Sequence, residues 1–310
     1  MVPAGTTFIA AKPPDQHSFI TAVGQVQRPV ILHAPDGERQ ISLEGYGFQV
    51  KFTPQGNRLC YRLLKGTQPG SDATELWVAD LESGRNEPLL PGFSMRGLLV
   101  YDISPEGTEA VVSVRDSNGK DRLWLTALDR RSPPRQIPNA EGISPVFGLH
   151  GEIFFRAPDG FVYQVREDGS GVQKIIDTPI SSIVSISPDG RWLAVTAGKT
   201  FVQLIGGGPL VLLGADMGVG WTPDRKHFVI SMGQGGMRMR GAGSTYVIPL
   251  QAGHMLPEIP PGGFHSRADI ARLAGVRVID TADVAFDRTL DTYAFTHETT
   301  QRNLFRIPLP

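Results

Sequence analysis

Apolar and polar residues alternate along this chain in short runs, separated by turns rich in proline, glycine and aspartate. The plainest example is Ile186–Val195, in which two short apolar segments flank Pro188, Asp189 and Gly190. Proline presets φ at about −65° and glycine accepts positive φ, so this combination predicts a tight turn between two strands. A period of two over such short runs is typical of strands and not of helices.

The same sequence pattern, two apolar segments around a turn, recurs over most of the chain. Plain copies lie at residues 52–61, 103–112 and 221–230, and weaker copies lie at 9–20, 147–155 and 286–295. An apolar third segment follows most of the turns. A more polar fourth segment then closes most units, often with a proline that only an edge strand tolerates. The repeat therefore predicts an all-β fold, a single β-propeller with four-stranded antiparallel blades.

Counting the copies predicts seven blades in one domain spanning 1–310, and the erosion of the first, fourth and seventh copies leaves six blades as the alternative. The chain stops at the third strand of the last unit, and only Met1–Gly5 precede the first strand. Because an open sheet edge promotes aggregation, we expect residues upstream of Met1 in a larger parent protein to close the ring. The chain would then be a monomeric domain. The predicted blades are 6–45, 46–92, 98–138, 143–177, 181–213, 216–260 and 280–310.

By the phrase Ser187-Pro188-Asp189-Gly190 and its copies, the chain resembles the WD40-like (PD40) repeat of TolB-type propellers over nearly its whole length. The closing stretch 286–310 is similar to the end of propellers fused behind bacterial sensor modules, such as receptor-type Ser/Thr kinases and winged-helix regulators. The resemblance implies a periplasmic or other extracytoplasmic recognition domain. It does not specify a ligand.

Charge and targeting signals limit the classes of partner. The chain has 30 Lys and Arg against 31 Asp and Glu, so no basic field favours nucleic acid. The N-terminus lacks the basic start and apolar run of a signal peptide, and no 18 consecutive residues are apolar, which predicts no membrane contact by the chain itself. The lone Cys60 lies in an apolar run and is predicted to be buried.

Three segments resemble catalytic motifs, and each segment lacks a residue that its motif requires. Asp102 and Asp283 are the carboxylates expected to face the central channel, and two alone make a weak metal site. We therefore predict no catalytic residue, no metal and no cofactor. The alternatives are a lactonase- or lyase-like enzyme with a central-channel site, and the gating propeller of a prolyl-oligopeptidase-like hydrolase. The imitations are the P-loop-like Ala197–Thr200, the HExxH-like His297–Gln301 and the GxSxG-like Gly92–Arg96.

Insertions between the predicted strands indicate where a partner would bind. Segments 65–74, 115–122, 231–244 and 251–281 are all expected on the face opposite the Pro-Asp-Gly turns, and loops on a rigid scaffold concentrate binding residues. The sequence therefore predicts a non-catalytic module that binds a protein or peptide partner on this face. A cationic site for a carboxylate or an acidic peptide is predicted from Arg238, Arg240, His254, His265 and Arg267.

Overall fold

The structure is a computed structural model that describes residues 6–15, 18–42, 45–64, 73–92, 95–96, 101–233 and 243–308. Most of these residues lie in antiparallel strands, because short alternating segments between tight turns cannot form long helices. Within these ranges no helix has the length and apolar character needed to cross a bilayer.

The strands are arranged as an N-terminal group and a series of consecutive four-stranded sheets. The N-terminal group is β1 (Thr6–Asp15), β2 (Ser18–Gln27), β3 (Val30–Ala34) and β4 (Gly37–Gln40). The first blade is β5 (Tyr46–Phe52), β6 (Arg58–Leu64), β7 (Ala73–Asp80) and β8 (Asn86–Pro88), with β9 (Met95–Arg96) pairing to β7. The second blade is β10 (Asp102–Ile103), β11 (Glu109–Arg115), β12 (Asp121–Ala127) and β13 (Arg135–Glu141).

The next three blades follow in the same order, and the fifth contains the short helix α1 (Arg267–Ala271). The third blade is β14 (Ile143–Phe147), β15 (Glu152–Arg156), β16 (Val162–Arg166) and β17 (Gln173–Ile176). The fourth is β18 (Ser182–Ile186), β19 (Trp192–Ala197), β20 (Lys199–Leu204) and β21 (Val211–Gly214). The fifth is β22 (Met217–Trp221), β23 (His227–Gly233), β24 (Gly243–Pro249) and β25 (Arg277–Ile279).

The last blade joins the two ends of the chain. Its inner strands are β26 (Ala285–Phe286) and β27 (Tyr293–Thr296), and its outer strands are β3 and β4. The junction is antiparallel, with Tyr293 opposite His33 and Thr296 opposite Val30. The final strand β28 (Thr299–Pro308) then pairs with β2, so that β1, β2 and β28 form a separate three-stranded sheet.

The described residues therefore form a ring of six blades, and the prediction of seven was wrong. Residues 6–45 and 280–310 had each been counted as a blade. In the structure, range 280–310 supplies the inner strands of one blade and range 6–45 supplies the outer strands of that same blade. The eroded repeat near Ile9 belongs to the three-stranded sheet. The expectation that residues upstream of Met1 close the ring was also wrong, because β3 and β4 close it.

The repeated turn has one backbone arrangement in the plain copies. In the fourth blade the N–H of Ser187 donates to the carbonyl of Trp192 at 2.8 Å, and Gly190, at φ 70°, donates to the carbonyl of Ser187 at 2.8 Å. The Ser187 hydroxyl accepts a hydrogen bond from the N–H of Trp192 at 2.9 Å. Ser104 and Thr222 accept equivalent bonds in the second and fifth blades. In these three blades the hydroxyl residue before the proline thus caps the turn.

The core lies between the blades, because the second strand of each blade is buried on both faces. In β11, Ala110 and Val112 pack against the first blade, while Val111 packs against the third. In β6, Leu59 faces the sixth blade and Cys60 faces the second. In the second strand of every described blade, successive side chains likewise alternate between the preceding and the following blade. Each described seam between neighbouring blades holds one apolar cluster, including the seam between the sixth blade and the first.

We predict that Val111→Ala destabilises the fold by roughly 2 kcal/mol, because two buried methyl groups are lost and the rigid seam cannot fill the space. Val172→Ala is the matched control, since Val172 is 45% exposed. Chemical denaturation of both variants measures the difference. Equal midpoints for the two variants would contradict the placement of Val111 in a seam.

We also predict that Cys60 does not react with a thiol reagent at pH 8 in the native protein. The side chain is fully buried, and burial raises the pKa of the thiol to about 12, so almost no thiolate forms at that pH. Unfolding in denaturant restores rapid reaction. Rapid labelling of the native protein would show that the seam between the first and second blades opens.

Candidate functional site

The ring has two faces, which we name by the connections they carry. The turn face carries the connections between first and second strands, such as the turn that contains Pro188. The loop face carries the connections between second and third strands and the linkers between blades. Antiparallel strands alternate in direction, so a connection between third and fourth strands also begins on the turn face.

One of the predicted insertions lies elsewhere than expected. Segment 251–281 was assigned to the loop face as a linker between blades, but β25 within it pairs with β24 as a fourth strand, so the segment leaves from the turn face. It then packs into the seam between the fourth and fifth blades. The N–H of Phe264 donates to the carbonyl of Leu213 at 2.7 Å, and Phe264 and Ile270 are buried there. Packing between blades accounts for most of this insertion.

The predicted cationic residues fall into three groups. Arg238 and Arg240 lie outside the described residues. The Arg267 side chain donates to the carbonyls of Met232 and Gly233 at 3.3 and 3.4 Å, which places it at the base of the loop that follows β23 on the loop face.

The two histidines of that set are both exposed and are held by different parts of the insertion. His265 adjoins Ser266, the N-cap of α1, and its N–H donates to the Asp269 carboxylate at 3.0 Å. His254 follows the opposite end of β24 and precedes Met255, whose carbonyl accepts a bond from the Trp221 indole at 2.6 Å. The structure brings Arg267 to the predicted surface and puts His254 beside the turn face. The binding role of the set stays a prediction.

Asp102 lies on a central strand and connects three consecutive blades. One carboxylate oxygen lies 2.7 Å from the Lys51 ammonium of the first blade, and the other accepts the N–H of Phe147 in the third blade at 2.9 Å. The Asp102 side chain is 16% exposed, so the ion pair is partly shielded from water. The carboxylate is therefore neutralised by a cation and a backbone donor, which is a structural arrangement.

Asp283 precedes the innermost strand of the sixth blade and bonds to the fifth. Its carboxylate accepts the Ser231 hydroxyl at 3.2 Å, and its own N–H donates to that hydroxyl oxygen at 2.6 Å. Its φ of 57° is left-handed, a conformation that aspartate tolerates better than most residues. Among the described residues, no three His, Cys, Asp or Glu side chains lie close enough together to share a metal ion.

The fully described insertion on the loop face, residues 115–122, is a rigid turn. One Asp116 oxygen accepts the N–H groups of Asn118 and Lys120 at 2.8 and 2.9 Å, and the other accepts Arg122 Nε at 3.2 Å. The donation from Lys120 is the main reason that the pKa of the Asp116 carboxyl is lowered. These bonds make Asp116 a structural part of the turn.

Ion pairs continue from this turn to the linker between the second and third blades. Arg115 holds Asp121 by a fork, with N–O distances of 3.1 and 3.0 Å. Glu141 lies 3.2 Å from the Lys120 ammonium and 3.7 Å from the Arg122 guanidinium. Arg115 and Lys120 nevertheless keep 53% and 52% of their side chains exposed. The seam therefore presents fixed but accessible charges.

A cleft of about 260 Å³ opens in this seam. Its floor is Gly142, whose N–H donates to the carbonyl of Asp121 at 2.8 Å. A side chain at Gly142 would collide with the third blade, because a Cβ there would lie 2.3 Å from the carbonyl oxygen of Arg156. We call this the seam cleft, and it is lined by Arg115, Gly119, Lys120, Asp121, Glu141, Gly142, Ile143, Arg156 and Pro158.

A larger cleft of about 480 Å³ lies on the turn-face side of the third blade. Most of its lining residues are polar, but Glu152 accepts a hydrogen bond from the backbone N–H of His150 at 2.9 Å. No insertion borders it. The lining residues are His150, Glu152, Gln164, Val165, Arg166, Ser170, Gly171 and Gln173.

Comparisons with known proteins agree with the fold. No protein-family profile matches the chain. The structure of TolB from Acinetobacter baumannii superposes with a TM-score of 0.53 at 16% identity, covering 72% of this chain and 61% of that one. A protein assigned as TolB from Agrobacterium tumefaciens gives a TM-score of 0.57 at 11% identity, covering 92% and 99%. The chain therefore has the fold of TolB-like propellers.

One curated relative matches over a short stretch. The uncharacterised protein YidR of Escherichia coli K12 is 29% identical in an alignment of 97 residues that covers 29% of this chain and 23% of that protein. The chain thus matches less than a quarter of the length of YidR, and its alignment covers less than two thirds of the Acinetobacter TolB.

Sequence reasoning identified the 115–122 insertion but missed the groups that make the seam cleft. Glu141 lies in no motif, and it reaches Lys120 and Arg122 because β13 pairs with β12. Lys51 was missed as the partner of Asp102 because the pair joins different blades. The predicted blades 98–138 and 143–177 left four residues between them, whereas a single residue, Gly142, separates β13 from β14 in the structure.

We predict that Asp102→Asn lowers the free energy of unfolding by about 2 kcal/mol, because the half-buried Lys51 ammonium loses its charged acceptor. Lys51→Met in the same background recovers part of the loss, since it removes the unpaired cation. Denaturant titration of the single and double variants measures the coupling. Asp129→Asn, at a more exposed aspartate, is the control, with an expected change of about 0.5 kcal/mol or less. Additive effects of the two substitutions would contradict the proposed pairing.

Proposed function

We propose that this propeller is a non-catalytic recognition module that binds a protein or peptide partner through its loop face. The observation that carries the proposal is the seam cleft, where accessible charges are held in fixed geometry by the 115–122 turn. Charged groups positioned before binding lose little conformational freedom when a partner arrives, which favours recognition. The cationic residues predicted around Arg238 and Arg240 would extend the same surface.

The size and setting of the seam cleft support a macromolecular partner. Pockets that enclose small-molecule ligands usually measure about 300–1,000 Å³ and are largely apolar. The seam cleft is smaller at about 260 Å³, open, and lined mainly by charged residues. Such a cleft suits one side chain that projects from a larger partner. This resembles the polar rim of a protein interface more than a substrate pocket.

The central channel gives less support to an enzyme. Asp102, the clearest channel carboxylate, is engaged by Lys51 and by the N–H of Phe147, and both bonds would have to break before it could ligate a metal. The setting we propose is that of a sensor domain in a larger bacterial protein, as the likeness of the 286–310 stretch implies. The TolB-like fold is compatible with this role but does not specify it.

The test is a selection of peptide ligands from a random display library against the purified protein. We expect selected peptides to slow amide hydrogen exchange at residues 115–122 and 141–143 and to leave the turn at 187–191 unchanged. Lys120→Ala should weaken their binding severalfold, because Lys120 is exposed on the loop face. The matched control Lys226→Ala, on an exposed lysine of the turn face, should not.

Two results would overturn the proposal. One is a set of peptides whose protection maps to the turn face. The other is a failure to select any ligand, together with a stoichiometric metal ion retained by the purified protein, which would favour the channel enzyme.

A further inference from the structure

The cleft of about 480 Å³ on the third blade holds two opposite charges that do not pair, Glu152 and Arg166. We call it the turn-face cleft. The two residues lie directly opposite each other in β15 and β16. Opposite charges in that position have Cβ atoms about 4.5–5.5 Å apart and usually attract each other. Within the described residues, however, Arg166 forms no ion pair with Glu152 or with any other carboxylate.

Glycines on either side of the strand pair explain the separation. The Glu152 side chain lies over Gly148, where an added Cβ would be 2.5 Å from the Glu152 carboxyl carbon, and its carboxylate accepts the N–H of His150 at 2.9 Å. Arg166 extends past Gly171, where an added Cβ would be 3.8 Å from Arg166 Cγ. Gly148 follows β14 and Gly171 precedes β17, which flank β15 and β16. The acid and the base therefore bend in opposite directions and leave space between them.

Two amide side chains line the cleft beside these charges. Gln164 and Gln173 are directly opposite each other in β16 and β17, on the same side of the sheet as the charged pair. That side faces the fourth blade, because Phe154, opposite Gln164, is buried in the seam between the third and fourth blades. Neither amide has a hydrogen-bond partner among the residues that the structure describes. The cleft thus offers a cation, a carboxylate and two available amides to one solute.

The second blade fixes the hairpin that carries Arg166. Arg135 donates to the carbonyl of Glu167 at 3.0 Å and also binds the Glu167 carboxylate. Gly169, at φ 82°, packs so closely on the second blade that an added Cβ would lie 2.6 Å from Pro138 Cβ. A turn held in this way loses little freedom when a ligand binds to it.

Asp168 is the carboxylate whose charge acts on Arg166, and it has donors of its own. It accepts the N–H of Ser170 at 2.9 Å. The Ser170 hydroxyl is the main reason that the pKa of the Asp168 carboxyl is lowered, and the charge of Arg166 contributes less. The guanidinium is therefore attracted by Asp168 without donating to it. Its hydrogen-bond donors are available to a ligand.

We infer that the turn-face cleft binds a free α-amino acid, with Arg166 holding the carboxylate and Glu152 the ammonium group. The two protein charges are separate and of opposite sign, and an α-amino acid carries both complementary charges on one carbon. Such bonds are charge-assisted and stronger than neutral ones. The amides of Gln164 and Gln173 favour a ligand with a polar side chain. The volume of about 480 Å³ lies within the range of small-ligand pockets, about 300–1,000 Å³.

Ligands with a single charge fit the cleft less well. A simple anion binds Arg166 but is repelled by Glu152, and a simple cation meets the reverse. Glu152 can accept further bonds, because one backbone N–H does not use all the acceptor sites of a carboxylate. A peptide carries its ammonium and carboxylate at opposite ends, so one peptide terminus satisfies only one of the two charges. The site lies on the face opposite the proposed partner surface and does not depend on that function.

The experiment titrates the ¹⁵N-labelled protein with L-glutamine, L-asparagine and L-serine and follows the backbone amide and arginine Nε–Hε signals by nuclear magnetic resonance. Two analogues of the amino acid that binds most tightly complete the probes. The N-acetyl analogue lacks the ammonium group, and the α-carboxamide lacks the carboxylate. We expect the amino acid to shift the signals of residues 148–152 and 164–173. Each analogue should bind about tenfold more weakly, as loss of one charge-assisted hydrogen bond implies.

Matched variants assign each charge to its ligand group. Arg166→Gln should no longer distinguish the amino acid from its α-carboxamide, and Glu152→Gln should no longer distinguish it from the N-acetyl analogue. Both substitutions preserve side-chain length, and the amide oxygen introduced by Glu152→Gln still accepts the N–H of His150, so the fold is retained. The controls are Arg131→Gln and Glu106→Gln, at exposed residues of the turn face in the second blade, which should keep the selectivity of the parent protein.

Three results would overturn the inference. They are equal binding of the amino acid and both analogues, the absence of any shift with all three amino acids at millimolar concentration, and unchanged selectivity in both cleft variants. Each of these leaves the proposed function intact, because that function is tested by library peptides on the loop face. Library peptides that protect the turn face would overturn the proposed function and leave the amino-acid site to its own titration.

Discussion

The fold depends on the double burial of the second strand in each blade. Such a strand has no solvent face, so its successive side chains alternate between the preceding and the following blade. Leu59 and Cys60, or Phe154 and Phe155, are neighbours in sequence but belong to different seams. No blade can bury both faces of this strand alone, and the cores exist only when each blade has a neighbour on both sides. A ring satisfies that condition without leaving a terminal blade.

The turns and the strands of the middle blades could be predicted from sequence because their determinants are local. Pro188, Gly190 and the Ser187 hydroxyl define the turn by their own conformational preferences and hydrogen bonds. The number of blades could not be predicted in this way. The pairing of Val30 with Thr296 involves residues near opposite ends of the chain, and nothing in either segment specifies the other. Counting repeats therefore counted one blade twice.

The location of the candidate site could be predicted from the sequence, but the residues that form it could not. Loop length indicated that residues 115–122 face a potential partner. The charged groups of the seam cleft come from the 115–122 turn and from Glu141, which reaches them because β13 pairs with β12. The third blade closes against them at Gly142, where the blades approach too closely for a side chain. Asp102 shows the same limit: its place on the first strand of a blade was predicted from sequence, and its pairing with Lys51 of another blade was not.

The mixed origin of the closing blade has a kinetic consequence. Its outer strands are synthesised before the other five blades and its inner strands after them, so β3 and β4 have no sheet to join until those blades have been made. Contacts between such distant segments slow folding, because the intervening chain must first lose most of its freedom. Until then the edge of β3 and the open seam beside the first blade are exposed, and both can pair with other chains. Closure is therefore the step at which a nascent chain of this design is most exposed to misassembly.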